Sequence, residues 1–133
     1  MENLNLSEAS KQLSEVKKLI HFFHNGHFRD AEILAIAITK EFPKCQFAWK
    51  LLGVLLQQKG DYSEAENANR KAAALDPRGA EAHVNLGVSL QNLGRFVEAE
   101  ASLRRALVLN SNFAECYFNL GNTLQSLGRG YEA

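Results

Sequence analysis

Residues 85–94 read NLGVSLQNLG, and residues 119–128, which begin 34 positions further along the chain, read NLGNTLQSLG. An echo of this length is expected from a duplicated catalytic loop, from paired ligand sites or from a structural unit that stacks on itself. Sliding the sequence against itself by 34 residues extends the match in both directions. The repeat therefore runs along the chain, which favours a stacked structural unit.

Four kinds of position recur in register. The rings are Trp49, His83 and Tyr117; the Leu-Gly pairs are Leu52-Gly53, Leu86-Gly87 and Leu120-Gly121; the glycines are Gly60, Gly94 and Gly128; the alanines are Ala65, Ala99 and Ala133. A more divergent copy upstream keeps Gly26, Ala31 and Pro43 at equivalent places. Because apolar residues within each copy recur every three or four positions, the sequence predicts helices rather than strands.

Each copy is predicted to hold two helices. In the clearest copy the first helix covers residues 80–93 and ends at Gly94, and the second covers residues 96–109. In the preceding copy, the second helix ends before Pro77, which cannot continue a helix. Ser63 with Glu66, and Asn5 with Glu8, have the spacing of helix N-terminal capping boxes.

Glycines stand in the middle of the first helices, where glycine costs about 1 kcal/mol relative to alanine. Gly53, Gly87 and Gly121 therefore predict a close approach of the partner helix, with small residues such as Ala65 and Ala99 opposite. One such hairpin cannot bury its apolar faces alone, but stacked copies can.

The 34-residue period, the Trp49 to Leu56 pattern, Ala65, Ala72 and Pro77 together resemble the tetratricopeptide repeat. The resemblance implies an all-α fold: a right-handed superhelical solenoid of antiparallel helix pairs with about seven helices. We place an N-terminal extension that includes the start of the first helix at residues 1–11 and units at 12–45, 46–79 and 80–113, with a partial unit at 114–133.

The resemblance also implies that the first helix of each pair lines a concave groove that binds a peptide or partner protein. The predicted groove residues are Lys50, Val54, Gln57, Val84, Asn85, Val88, Gln91, Phe118, Asn119, Asn122 and Gln125. Two amide rows recur at the period, with glutamine at 57, 91 and 125 and asparagine at 85 and 119. An amide both donates and accepts hydrogen bonds, which matches the backbone of an extended peptide, although amides on a helix face also serve solubility alone.

Two known groove chemistries can be compared with these rows. The asparagine row is similar to the asparagine ladder of O-GlcNAc transferase-type proteins, which binds substrate peptide backbone. Chaperone-binding members hold a C-terminal carboxylate with a clamp of lysine, arginine and asparagine, but only Lys50 and Asn85 fall in clamp places here. Because Glu81 and Glu115 also disfavour an anionic tail, we do not expect chaperone-tail binding.

Composition and motifs argue against several other classes of function. Fifteen basic and fifteen acidic residues give no net charge and no charged block, so neither nucleic acid nor a membrane is the expected partner. We expect a cytoplasmic protein with no cofactor, metal or catalytic residue. His21, His24 and His27 lie near one another but lack a further ligand at suitable spacing. Cys45 and Cys116 are expected to be buried.

Three functions remain open from the sequence. The first is a non-catalytic scaffold that binds an extended peptide or partner helix in the groove. The second is the N-terminal substrate-recruiting region of a larger enzyme of the O-GlcNAc transferase type. The third is a self-assembly module, a homo-oligomer formed through uncovered ends, for which the candidate contact residues are Ile33, Ile36, Leu124 and Leu127.

Overall fold

A computed structural model describes residues 5–128 of the chain. Within that range the chain forms seven helices and no strand: α1 (Leu6–His24), α2 (Phe28–Glu41), α3 (Gln46–Lys59), α4 (Tyr62–Leu75), α5 (Ala80–Asn92), α6 (Phe96–Leu109) and α7 (Ala114–Ser126). Helix α6 has the predicted bounds, and α5 ends one residue before the predicted end.

The helices contact their neighbours in chain order. Each helix packs on the next one, and the first helices of consecutive pairs also meet, α3 with α5 and α5 with α7. Contacts that stay between adjacent pairs are the mark of a solenoid. The all-α fold, predicted from the spacing of apolar residues and from the family resemblance, is confirmed.

Glycines end the turns between the two helices of a pair. Gly60 and Gly94 have φ values of 88° and 78°, in the left-handed region where a side chain would be strained. The backbone N–H of Gly94 donates to the carbonyl of Gln91 and that of Arg95 to the carbonyl of Leu90, at 3.0 and 2.9 Å. These bonds satisfy carbonyls at the end of α5 and turn the chain into α6.

The two capping predictions have opposite outcomes. The Asn5 side chain accepts a hydrogen bond from the Glu8 backbone N–H at 2.8 Å, so Asn5 caps α1 as predicted. The prediction for Ser63 is wrong, because α4 begins at Tyr62 and Ser63 already lies inside its first turn. Glu66 instead binds Arg70 and Arg95, at 2.7 and 2.6 Å.

Close helix packing at two of the mid-helix glycines is confirmed. A Cβ atom added to Gly87 would lie 2.7 Å from the Leu103 Cγ atom, and one added to Gly53 would lie 2.0 Å from Asn69 Oδ1. Both distances are far below a van der Waals contact. The absence of a side chain at these positions lets α5 approach α6, and α3 approach α4.

The recurring rings make one recurring hydrogen bond. Trp49 Nε1 donates to the Pro43 carbonyl at 2.8 Å, and Tyr117 Oη donates to the Ser111 carbonyl at 2.9 Å. His83 Nε2 lies 2.9 Å from the Pro77 carbonyl, and it carries the hydrogen because a carbonyl only accepts. Each ring therefore ties a first helix to the turn that precedes it, and this set is called the ring ladder below.

Substituting Gly87→Ala tests the close approach of α5 to α6. The new Cβ would collide with buried Leu103, so we expect the free energy of unfolding to fall by about 1–3 kcal/mol. Chemical denaturation followed by circular dichroism measures it. Asn67→Ala, at an exposed position of α4, is the control for helix propensity and should change stability by only a few tenths of a kcal/mol. Unchanged or increased stability in Gly87→Ala would contradict the close packing.

Candidate functional site

The first helices of three consecutive pairs enclose a groove with an apolar cavity of about 290 Å³. We call it the apolar cavity. Its lining comes from α1, α3 and α5 and consists of Ile20, Phe23, His24, Phe47, Lys50, Leu51, Val54 and Glu81. Helix α3 contacts α5, and α5 contacts α7. The face that holds the cavity is therefore continuous with α5 and α7, which carry Asn85 and Asn119.

Lys50 is engaged at the edge of the apolar cavity. Its ammonium lies 2.9 Å from the Glu81 carboxylate and 5.8 Å from the centre of the Phe47 ring. The pair joins α3 to α5 across the groove, and both side chains stay partly open to solvent. Because its charge is already balanced, Lys50 is a weak candidate for binding an anionic group.

The three glutamines of the predicted row are in different states. The Gln57 Oε1 atom accepts a hydrogen bond from the Ser89 hydroxyl at 2.8 Å. The Gln91 Oε1 atom is buried and has no hydrogen-bond partner within residues 5–128, whereas the Gln125 side chain is exposed. One recurring residue type thus occupies three environments.

The two asparagines of the second row also differ. Both are half-buried, but Asn119 donates a hydrogen bond to the Glu115 carbonyl of its own helix at 3.0 Å. The Asn85 side chain makes no hydrogen bond with any described residue. Its backbone carbonyl accepts one from Asn69 Nδ2 at 3.2 Å. Asn85 therefore has the free amide of this row.

Val84 is wrongly predicted as a groove residue. It is only 1% exposed and packs in a core cluster with Cys116 and Leu120, because α7 covers the side of α5 that carries it. Phe118, which occupies the equivalent position in the last pair, is 69% exposed. The other predicted apolar or amide positions, namely Val54, Val88 and Asn122, are half-buried.

The prediction of an uncovered Leu124 is also wrong. Its side chain is 1% exposed and packs in the same cluster as Leu103. Leu127 is half-buried, while Ile33 and Ile36 are exposed, with no cover from the described part of the N-terminal extension. The apolar surface of α7 is formed instead by Phe118 and Tyr117, the latter 53% exposed.

Comparison with known sequences settles the family. The sequence model of the tetratricopeptide repeat matches residues 17–80 and 51–114, which together cover most of the chain. This chain belongs to the tetratricopeptide repeat family. A comparison with curated proteins finds no significant sequence match.

Solved structures of tetratricopeptide repeat (TPR) proteins share the fold. The first TPR domain of Spaghetti (RPAP3), bound to the HSP90 peptide SRMEEVD, has a TM-score of 0.85 at 21% identity, over 90% of this chain and 94% of that one. MamA has a TM-score of 0.76 at 27% identity, over 86% of this chain and 66% of that one. The present chain thus spans just under two thirds of MamA.

An O-GlcNAc transferase mutant from Thermobaculum terrenum is similar as well. Its TM-score is 0.82 at 26% identity, over 91% of this chain but only 23% of the transferase. The resemblance to this type of protein, stated above from the asparagine row, is confirmed. The TPR fold is that of a protein-interaction scaffold, and such domains are in general non-catalytic.

A buried polar network joins the second and third repeats, and its central residue is absent from the predicted site. Asn69 is fully buried and donates to the Ser89 hydroxyl at 2.9 Å, while Ser89 in turn donates to Gln57. The Asn69 Oδ1 atom has no hydrogen-bond partner among the residues that the structure describes. The signal is visible in the sequence, because a shift of 34 residues aligns Asn69 with Leu103.

Charges on the second helices form a separate network. Arg95 binds both Glu66 and Glu98, at 2.6 and 2.9 Å, and Arg70 reaches Glu98 at 3.2 Å. The hydrogen bond from Arg95 lowers the pKa of Glu98, and the same bond raises the pKa of Arg95. Arg70, Arg95 and Glu98 are solvent-exposed, so the pairs that join them contribute little to stability, whereas Glu66 is largely covered.

The described residues contain no arrangement suited to nucleophilic catalysis by cysteine, to metal binding or to crossing a membrane. Burial raises the pKa of the Cys116 thiol, which donates to the Leu103 carbonyl at 3.1 Å, so this cysteine is not an activated nucleophile. Within residues 5–128, no three His, Cys, Asp or Glu side chains are grouped to hold a metal ion. The helices in that range are also too short or too polar to cross a membrane.

A reciprocal exchange tests the energetic role of the buried amide. Asn69→Leu should pack against Gly53 as Leu103 packs against Gly87, and it removes the unpartnered Oδ1 atom. We expect the free energy of unfolding to stay constant or to rise by about 1 kcal/mol. Leu103→Asn should lower it by about 2 kcal/mol or more, because the new amide is buried and Thr123, at the place of Ser89, already donates to its own helix. Denaturant titration compares the two variants, and equal losses in both would contradict this assignment.

Proposed function

We propose that this chain is a non-catalytic interaction scaffold that binds an extended peptide, or a helix of a partner protein, along the groove formed by the first helices of its repeats. The observation that supports it most directly is the division of this groove. One end holds the apolar cavity, and the other carries amide side chains on α5 and α7.

The apolar cavity suits a side chain better than a whole small molecule. Its volume of about 290 Å³ lies at the lower limit of ligand pockets, which range from about 300 to 1,000 Å³. Phe23, Phe47 and Val54 offer an apolar contact surface, and the Lys50–Glu81 pair closes one side. An aliphatic or aromatic side chain of the partner would be removed from water there.

The amide end suits a peptide backbone. Asn85 and Gln125 are free to offer both a donor and an acceptor, which pairs with backbone N–H and C=O groups whatever the side chains are. Contacts of this kind supply affinity, while the apolar cavity supplies selectivity.

The charges favour a partner other than a C-terminal acidic tail. Lys50 is paired with Glu81, and Glu115 is exposed on α7 near the amides. The RPAP3 domain is bound to SRMEEVD, an acidic peptide, but this chain keeps only part of the positive clamp. We therefore propose an internal, neutral or basic segment as the ligand.

Binding can be tested with a peptide selected from a phage-displayed random library on the purified chain. The double variant Asn85→Ala, Asn119→Ala should bind the fluorescein-labelled peptide about 5-fold more weakly or worse, since each of the two lost hydrogen bonds contributes about 0.5–1.5 kcal/mol. Fluorescence polarisation measures the dissociation constant. SRMEEVD serves as the negative control peptide.

The matched control is Asn67→Ala, which removes the same side chain from an exposed position of α4, outside the groove. It should bind like the unsubstituted chain. Unchanged affinity in the folded double variant would remove the asparagine row from the mechanism. Failure to select any peptide would argue against the groove as a peptide site.

A second candidate is supported by the similarity to the Thermobaculum terrenum O-GlcNAc transferase. In this alternative the repeats recruit substrate peptides for a glycosyltransferase domain in the same polypeptide. The test is to read the gene downstream of the codon for Ala133. A stop codon there, or a downstream domain of another kind, would eliminate this candidate.

A further inference from the structure

The buried network between the second and third repeats has a fixed direction. Asn69 Nδ2 lies 3.2 Å from the Asn85 backbone carbonyl, which can only accept, so the NH₂ side of the Asn69 amide must face it. The same NH₂ group donates its other hydrogen to the Ser89 hydroxyl at 2.9 Å. Because Ser89 receives that bond, its own single hydrogen is free to go to Gln57 Oε1 at 2.8 Å.

The direction of the network leaves Gln57 able to act only as a hydrogen-bond donor in the groove. Its oxygen is occupied by Ser89, while its NH₂ group makes no hydrogen bond with any described residue. Gln57 is half-buried and lies one helical turn beyond Val54, which lines the apolar cavity. The side chain is thus held as a donor beside that cavity.

The next junction lacks this arrangement. Leu103 takes the place of Asn69, and Thr123 takes the place of Ser89 but donates to the Asn119 carbonyl of its own helix at 3.0 Å. Gln91, the counterpart of Gln57, is left with a buried Oε1 that has no hydrogen-bond partner in the described part of the chain. Neighbouring side chains therefore orient the glutamine of this row in the second repeat, Gln57, but not its counterpart in the third repeat, Gln91.

We infer that Asn69 is a positioning residue, which acts through Ser89 to hold Gln57 as a hydrogen-bond donor, and that the ligand presents an acceptor oxygen, a backbone carbonyl, at that point. The ligand half of this inference rests on the proposed function. The bound segment then places an apolar side chain in the apolar cavity and a carbonyl one helical turn away, at Gln57. A leucine at position 69 would fill the space but would orient nothing.

The orientation can be tested without a ligand, by nuclear magnetic resonance of the side-chain amides in the full chain. The Asn69 NH₂ hydrogens should exchange slowly with solvent and those of Gln57 rapidly. In Asn69→Leu, the Gln57 resonances should move toward the values of a free glutamine. The exposed Gln125 should show those values already in the unsubstituted chain and serves as the reference. Unmoved Gln57 resonances would overturn the positioning role. Ser89→Ala, a smaller change that removes the donor to Gln57, replaces Asn69→Leu if that variant does not fold.

The consequence for binding is tested with the library-selected peptide by fluorescence polarisation. Asn69→Leu should bind roughly 3- to 10-fold more weakly although its stability is not reduced, and Gln57→Met should lose a similar factor. The double variant should be no weaker than Gln57→Met alone, because both changes remove the same bond. Asn69→Leu combined with Gln125→Ala should instead show independent losses.

Independent, multiplied losses for Asn69→Leu and Gln57→Met, or full affinity in Asn69→Leu, would overturn the ligand half of the inference. If no peptide can be selected, the proposed function fails, but the resonance experiment still decides whether Asn69 orients Gln57. If the resonances respond as expected and the selected peptide binds Asn69→Leu normally, the groove is a peptide site that does not use Gln57. The two failures are therefore distinguishable.

Discussion

The close approach of the two helices in each pair is the constraint on which the rest of the structure depends. At Gly53 and Gly87 no side chain separates the helices, and the space of the missing Cβ is filled by Asn69 and Leu103. This contact sets how each hairpin is closed, and the hairpin sets which face of its first helix meets the next repeat. The shape of the groove is thus determined by how the first and second helices of each pair pack together.

The repeat made most of the fold predictable from one sequence. Glycine and proline predicted helix ends to within a residue or two, as for α5 before Gly94 and α4 before Pro77, because these residues act locally through their own backbone. The capping box at Ser63 failed for a local reason too, since its spacing is also met by residues already inside the first turn of α4. Spacing alone does not identify the first residue of a helix.

The groove was less predictable, because the position of a residue in the repeat determines its face but not its surroundings. Val84 and Phe118 are equivalent by register, yet α7 covers the first and nothing described covers the second. Gln57, Gln91 and Gln125 likewise differ through residues on neighbouring helices. The accessibility and the hydrogen-bond partners of a residue depend on the next repeat in the stack. A comparison of equivalent positions in the repeats does not include those neighbours.

The ring ladder shows what the recurring first-helix position requires. Tryptophan, histidine and tyrosine differ in size, charge and usual function, but each has a flat ring that ends in a hydrogen donor able to reach a carbonyl six residues earlier. A comparison by residue identity alone counts these exchanges as mismatches, although the three rings make the same hydrogen bond here. Divergent copies of this repeat in other chains would be found more readily by searching this position for any ring whose hydrogen-bond donor can reach the carbonyl six residues earlier than by searching for one residue type.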